Sequence, residues 1–206
     1  MNPRLNKSVT LIELLIAVSI FALIVVGFSN IDTFSRYHVI TSDKRAKLQN
    51  DASFVLEHMA KTIGQAIGDV NQAAVNTLII AGNTAIQAWI DYNQNGKRDS
   101  YPTDRQIAYI FTDGIGNVNE RYQIWYCPEC TTNPCTQCNP AWGSNENILS
   151  KKVNNFSATY SSTDNHVLID ITACYEPDGS PFDCGSLDNP ALSMKNRISM
   201  PTVSTH

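Results

Sequence analysis

Residues 9–28 read V-T-L-I-E-L-L-I-A-V-S-I-F-A-L-I-V-V-G-F, twenty residues with a single charge, Glu13. As a helix this stretch rises about 30 Å, the thickness of a bilayer's hydrocarbon core. A carboxylate within such a segment costs roughly 2.5–3.5 kcal/mol on insertion scales, so Glu13 calls for a partner. Ahead of it lies M-N-P-R-L-N-K-S, which carries Arg4 and Lys7 and no acid. An ordinary secretory signal places its apolar core before the cleavage point and loses it on processing. Here the small residue after the basic patch is Ser8, in front of the apolar span, so a cut at that point keeps the span in the chain.

Working outward, polar residues begin at Ser29, Asn30 and Asp32, followed by a basic collar of Arg36, Lys44, Arg45 and Lys47. No proline occurs between Pro3 and Pro102, so nothing of that kind kinks or ends a helix here. Apolar residues return at Val55, Leu56, Met59, Ala60, Ile63, Ala66 and Ile67, spaced as one helical face. Glu57, His58, Lys61 and Gln65 fall on the other side, which assigns His58 to a solvated face. Gly64, Gly68 and Asp69 predict termination near residue 68. A helix over 9–68 is about 90 Å long. Strand-like runs follow at 78–80, 85–90, 106–111, 122–126, 153–160, 167–173 and 196–200, with turn signals at Asn95-Gly96, Asp113-Gly114 and Asp178-Gly179. One long helix and then consecutive strands predict an α+β chain, with an antiparallel β-sheet packed against the helix's end. The expected organisation is a leader (1–8), a membrane-spanning helix (9–28), its continuation (29–68) and a β-rich globular domain (69–206).

The 206 residues are 43% hydrophobic with a formal net charge of −4. Loss of residues 1–8 removes Arg4 and Lys7 and takes the side-chain balance to about −6. An acidic chain with no Lys/Arg-rich run is poorly suited to nucleic acid, whose phosphates demand cations. Six cysteines in a chain that crosses a membrane indicate an oxidising exterior.

The basic leader, small residue and apolar start, Lys7-Ser8 followed by Val9-Thr10-Leu11-Ile12-Glu13, resemble the type IV pilin and pseudopilin class. Ser8 stands where the class usually has Gly, and Val9 where it usually has Phe. The resemblance implies cleavage between Ser8 and Val9 by a prepilin peptidase and methylation of the new amino group on Val9. It also implies that Glu13 pairs with the N-terminal amine of a neighbouring subunit, which supplies the missing partner. A plain signal anchor would explain the basic and apolar parts but not Glu13. The later strands, from 85–90 through D-Y-N-Q-N-G-K-R-D to Asn196-Arg-Ile-Ser-Met, resemble the W-type minor pilins and J-type pseudopilins.

Two loops carry candidate chemistry. In residues 91–99, Asp91, Asn93, Asn95 and Asp99 place oxygens at positions 1, 3, 5 and 9 of a calcium loop. Gly96 stands at the sharp turn, and the Lys97 carbonyl falls at position 7. Position 12 is Pro102 rather than Glu, leaving Asp104 as the substitute ligand. A polar hairpin turn around Asn95-Gly96 fits the same residues. Cys127, Cys130, Cys135 and Cys138 form two C-x-x-C pairs, open to reading as disulfides or as four thiolates on zinc. With Cys174 and Cys184, which flank a short loop, three disulfides are expected; a nested 127–138 and 130–135 arrangement is one of the connectivities that spacing leaves open. A stapled loop over 127–138 is expected to be exposed and suited to a subunit contact; Trp125, Tyr126, Pro140 and Trp142 nearby either supply aromatic area for it or cover the sheet's end. The histidines (His38, His58, His166, His206) are scattered and form no catalytic constellation with a serine or cysteine.

The resulting expectation is a structural subunit, not an enzyme: a minor pilin-like protein of a type IV pilus or type II secretion pseudopilus, placed in its tip or priming complex. Its expected partners are other pilin or pseudopilin subunits, the prepilin peptidase and the inner membrane, with calcium as the one cofactor to weigh. It would be held single-pass in the inner membrane with its domain in the periplasm, then drawn into the filament. A tip-presented binding module (adhesin or DNA-uptake receptor) and a major pilin subunit are the rival readings.

Overall fold

A computed structural model describes residues 10–68, 73–80, 83–112, 122–138, 147–177 and 183–201. Residues 1–9, with the expected leader, Ser8 and Val9 among them, lie outside the described residues. So do the turns at Asp113-Gly114 and Asp178-Gly179, together with Pro140, Trp142 and His206. The chain divides into two compact units, Met1–Asp43 and Lys44–His206, and helix α1 (Leu11–Ile63) runs through the division.

In the first unit α1 is apolar on every side from Leu11 to Phe28, and none of its most apolar stretch is buried by the chain itself. A helix that is hydrophobic all round and uncovered has lipid or other helices as its natural surroundings. In the second unit the same helix is one-sided. Leu48, Ala52, Val55, Leu56, Met59 and Ile63 are buried, while Glu57 and Lys61 face solvent. Each such large apolar side chain contributes about 1.5–3 kcal/mol on burial.

The helix ends at Ile63 rather than near residue 68. The Gln65 and Ala66 amides bond to the carbonyls of Thr62 and Ile63, tightening the last turn. The Ile67 amide then bonds to the Trp89 carbonyl at 2.8 Å, and Ala66 bridges to Ile90. Competition from a strand edge thus takes over backbone groups that helical periodicity would have kept. Ala66 and Ile67 stay buried, as their spacing implied, but outside the helix.

Among the described residues, eight strands form two antiparallel sheets where a single sheet was expected. The first is the meander β1 (Val75–Ile80), β2 (Asn83–Ile90), β3 (Arg105–Thr112), β4 (Gln123–Cys127) and β5 (Ile148–Ser150). The second is β6 (Val153–Ser161), β7 (His166–Cys174) and β8 (Ala191–Ser199). Only two residues separate β5 from β6, yet β6 pairs with β7. Register irregularities on both sides, at Ile124/Trp125 opposite β5 and at Val153/Asn155 in β6, re-aim the chain there. Strand β5 has three residues, too few for alternation to reveal.

Strand β7 shows the period of two in burial: Val167, Ile169, Ile171 and Ala173 are wholly buried, whereas Leu168 is exposed. Strand β3 is covered on both faces. Ile107, Tyr109 and Phe111 join the main core with Val55, Met59 and Ile63 of α1 and with residues of β6 and β7. Ala108 and Ile110, with Ala85 of β2, face the opposite way onto the cysteines. The second face of the sheet is therefore closed by the 127–138 loop.

Candidate functional site

The cysteine loop owes its position to both covalent and polar ties. Cys127 pairs with Cys138 and Cys130 with Cys135, a nested arrangement with Cα–Cα distances of 5.7 and 5.2 Å; Cys174 pairs with Cys184. Beneath the loop, Asn133 Oδ1 accepts from the Gln87 and Gln106 amide groups at 3.3 and 3.4 Å. Gln87 Oε1 accepts the Cys135 amide, and the Gln106 carbonyl accepts the Cys130 amide at 2.7 Å. All four sulfurs are buried, from 0% exposure for Cys127 and Cys135 to 9% for Cys138. The expectation of an exposed loop is corrected to this extent: its sulfurs form the floor of a second small core, and only Thr131, Asn133, Pro134, Thr136 and Gln137 face outward. Trp125 is not contact area either. It is buried, and its indole N–H donates to Gln123 Oε1 at 2.8 Å.

The 91–104 loop gathers its oxygens but turns most of them to its own amides. Asp91 accepts the Asn95 and Gly96 amides at 3.2 and 2.8 Å, and Asn95 Oδ1 accepts the Lys97 amide. The side-chain amides of Asn93 and Asn95 both donate to Asp99 Oδ2. Gly96 has φ +75°, a conformation that glycine adopts without penalty. Asp104 is wholly buried; its two oxygens accept the amides of Tyr92 and Asp99, so it anchors the loop from inside. Calcium takes six to eight oxygens, and the side-chain oxygens of Asp91, Asn93, Asn95 and Asp99 have the right chemistry. Asp104 is committed to two amides of the same loop.

At the start of α1, Thr10 and Glu13 form a reciprocal cap. Glu13 Oε2 accepts the Thr10 amide at 2.8 Å and the Thr10 hydroxyl at 2.9 Å, while Thr10 Oγ1 accepts the Glu13 amide at 3.4 Å. This is the S/T-x-x-E capping box, which satisfies amides that the first turn would otherwise leave open. Glu13 is fully exposed, and among the described residues its Oε1 makes no hydrogen bond.

Residues 3–29 match the family model of the prokaryotic N-terminal methylation motif. The chain has a pilin-like N-terminus. The motif covers the leader, the cap and the exposed apolar helix as one continuous unit, and this supports a type IV pilin-like or pseudopilin subunit. It implies processing by a prepilin peptidase and assembly with other pilins, and it fits membrane anchoring followed by pilus assembly. No curated protein and no solved structure matches the chain.

Elsewhere in the chain, beyond the matched motif, His58 departs from its expected place. It is half-buried, with Nδ1 2.9 Å from the Tyr109 hydroxyl and its ring edge-on to Tyr126 at 4.7 Å. Burial, with the Lys61 charge adding to it, pushes the imidazole below its ordinary pKa. Burial likewise pushes the Tyr109 and Tyr126 phenols up. Gln87, Gln106 and Asn133 carry the cysteine loop and were missed by sequence reasoning. The available signal was a glutamine within each of two apolar strands, since a buried amide in a sheet has to find a partner.

Proposed function

We propose that the protein is a structural subunit, not an enzyme: a minor pilin-like component of a type IV pilus or type II secretion pseudopilus, of the W-type or J-type, acting in the tip or priming complex. The observation that carries this reading is the methylation motif running without a break into a helix whose apolar surface the chain leaves uncovered. The precursor sits in the inner membrane with its domain in the periplasm. A prepilin peptidase cuts between Ser8 and Val9, and the new Val9 amine is methylated. The helix then leaves lipid for a bundle of like helices. Glu13 gives one oxygen to its own Thr10 and the other to a neighbour's amine, so that a charge costly in lipid becomes a marker of register. Two measurements test this. Mass analysis of the purified protein is expected to find Val9 as the methylated first residue, and recovery of residues 1–8 overturns the processing step. Glu13→Ala is expected to leave the subunit membrane-bound but depleted from sheared filaments; normal incorporation overturns the register role.

Calcium belongs to this reading as a ligand of Asp91, Asn93, Asn95, Lys97 and Asp99, with Asp104 as the inner anchor of the loop. The support is the convergence of these oxygens in a domain exposed to an extracytoplasmic, calcium-containing medium. Millimolar calcium is expected to raise the melting temperature of the full-length protein in detergent, and chelator to lower it. An unchanged midpoint removes calcium from the reading.

A further inference from the structure

Three of the four sulfurs of the 127–138 loop stand closer together than their bonds require. Cys130 Sγ and Cys135 Sγ each lie 3.8 Å from Cys127 Sγ, to which neither is bonded. These three Sγ atoms all fall within 4.8 Å of one another. Zinc holds four thiolates at about 2.3 Å in a tetrahedron, and the edges of that tetrahedron are about 3.8 Å. Two edges of such a site are thus already at zinc length; opening the two S–S bonds frees Cys138 Sγ, which lies outside that group of three, to supply the fourth corner.

We propose that the thiol form of this loop is a four-cysteine zinc site, so that zinc and the two disulfides are alternative closures of the same segment. Four further observations support it. The two C-x-x-C pairs are the backbone spacing by which paired thiolates reach one tetrahedral ion. The sulfurs are buried against Ala85, Ala108 and Ile110, which shields a metal centre from water. The ties from Gln87 and Gln106 to Asn133 and to the Cys130 and Cys135 amides do not involve sulfur, so they hold the loop in place when the bonds are open. Finally, Cys130 lines a cavity of about 320 Å³ with Trp89, Arg98, Thr131 and Thr132, a route for the ion.

Four thiols bind Zn²⁺ as thiolates and release four protons, giving a centre of charge −2. Oxidation by two equivalents of a disulfide oxidant removes four electrons, forms the 127–138 and 130–135 bonds and frees Zn²⁺; the oxidant takes up four protons and leaves as four thiols. The zinc form therefore precedes oxidation, and two equivalents of a dithiol or phosphine reductant regenerate its thiols. Zinc held in this way also brings the four sulfurs together before they pair.

The test uses the full-length protein in detergent, reduced with a phosphine and titrated anaerobically with Co²⁺ as the spectroscopic stand-in for zinc. The expected result is one equivalent of Co²⁺ with the thiolate charge-transfer and tetrahedral d–d bands of a four-sulfur site, all abolished by Zn²⁺. The unreduced protein is expected to show none of these bands. Cys127→Ser with Cys135→Ser is expected to lose them, and Cys174→Ser with Cys184→Ser to keep them. A reduced wild-type chain without the bands overturns the proposal whatever the variants do, and so does an undiminished signal in the Cys127/Cys135 variant.

Discussion

His58 shows how much one side chain's partner matters. Its neighbours in sequence, Glu57 and Lys61, are solvated, and nothing local marks it as different. Tyr109, fifty-one positions away, supplies a hydroxyl and takes it out of water. The folded-state pKa of His58 is depressed, so below the ordinary value of 6.5 the unfolded chain binds the proton more readily than the folded one. The stabilisation from a neutral His58 is complete above that value and is lost as pH falls through the folded pKa. The thermal midpoint of the wild type is expected to drop between pH 7 and pH 5, with a shallower drop in His58→Phe. Equal slopes in the two proteins would rule out His58 as the titrating group. Glu13 is the converse case. The structure shows its cap on Thr10, which went unread in the sequence although the partner lies only three positions away in T-x-x-E at residues 10–13.

Among the elements, α1 and β7 were the most legible, since each has a single period and a face that the core takes up. The buried face at Val55, Met59 and Ile63 falls where 3.6-residue spacing puts it. Met59→Ala is expected to cost about 2–5 kcal/mol in urea unfolding, because the side chain is wholly buried and leaves a cavity. Glu57→Ala, one helical step away in solvent, is expected to change stability by less than about 0.5 kcal/mol. A Met59 variant as stable as wild type would mean that α1 does not pack as described. The end of α1 and the strand β5 were not legible. The first is decided by a bond from Ile67 to Trp89 across the fold, and the second by pairing with β4 over only three residues.

On the scale of the whole molecule, folding and assembly draw on different surfaces. The apolar residues from Leu11 to Phe28 are exposed in the chain, so none of their burial contributes to the core of the Lys44–His206 unit. Phe21→Ala is therefore expected to leave the unit's melting temperature unchanged in detergent while lowering recovery of the subunit in filaments. A matching loss of melting temperature would show that the segment supports the fold itself. The amino-acid sequence by itself determined the long helix, its apolar and one-sided parts, the methylation motif and the α+β class. Each of these rests on spacing between residues a few positions apart, or on a run of one polarity. Only the tertiary structure decided the split into two sheets, the nested cysteine pairs folded onto the outer sheet face, and the burial of His58 and Asp104. Those depend on which distant strand, hydroxyl or amide satisfies a group once water is excluded, and local periodicity carries no record of that choice.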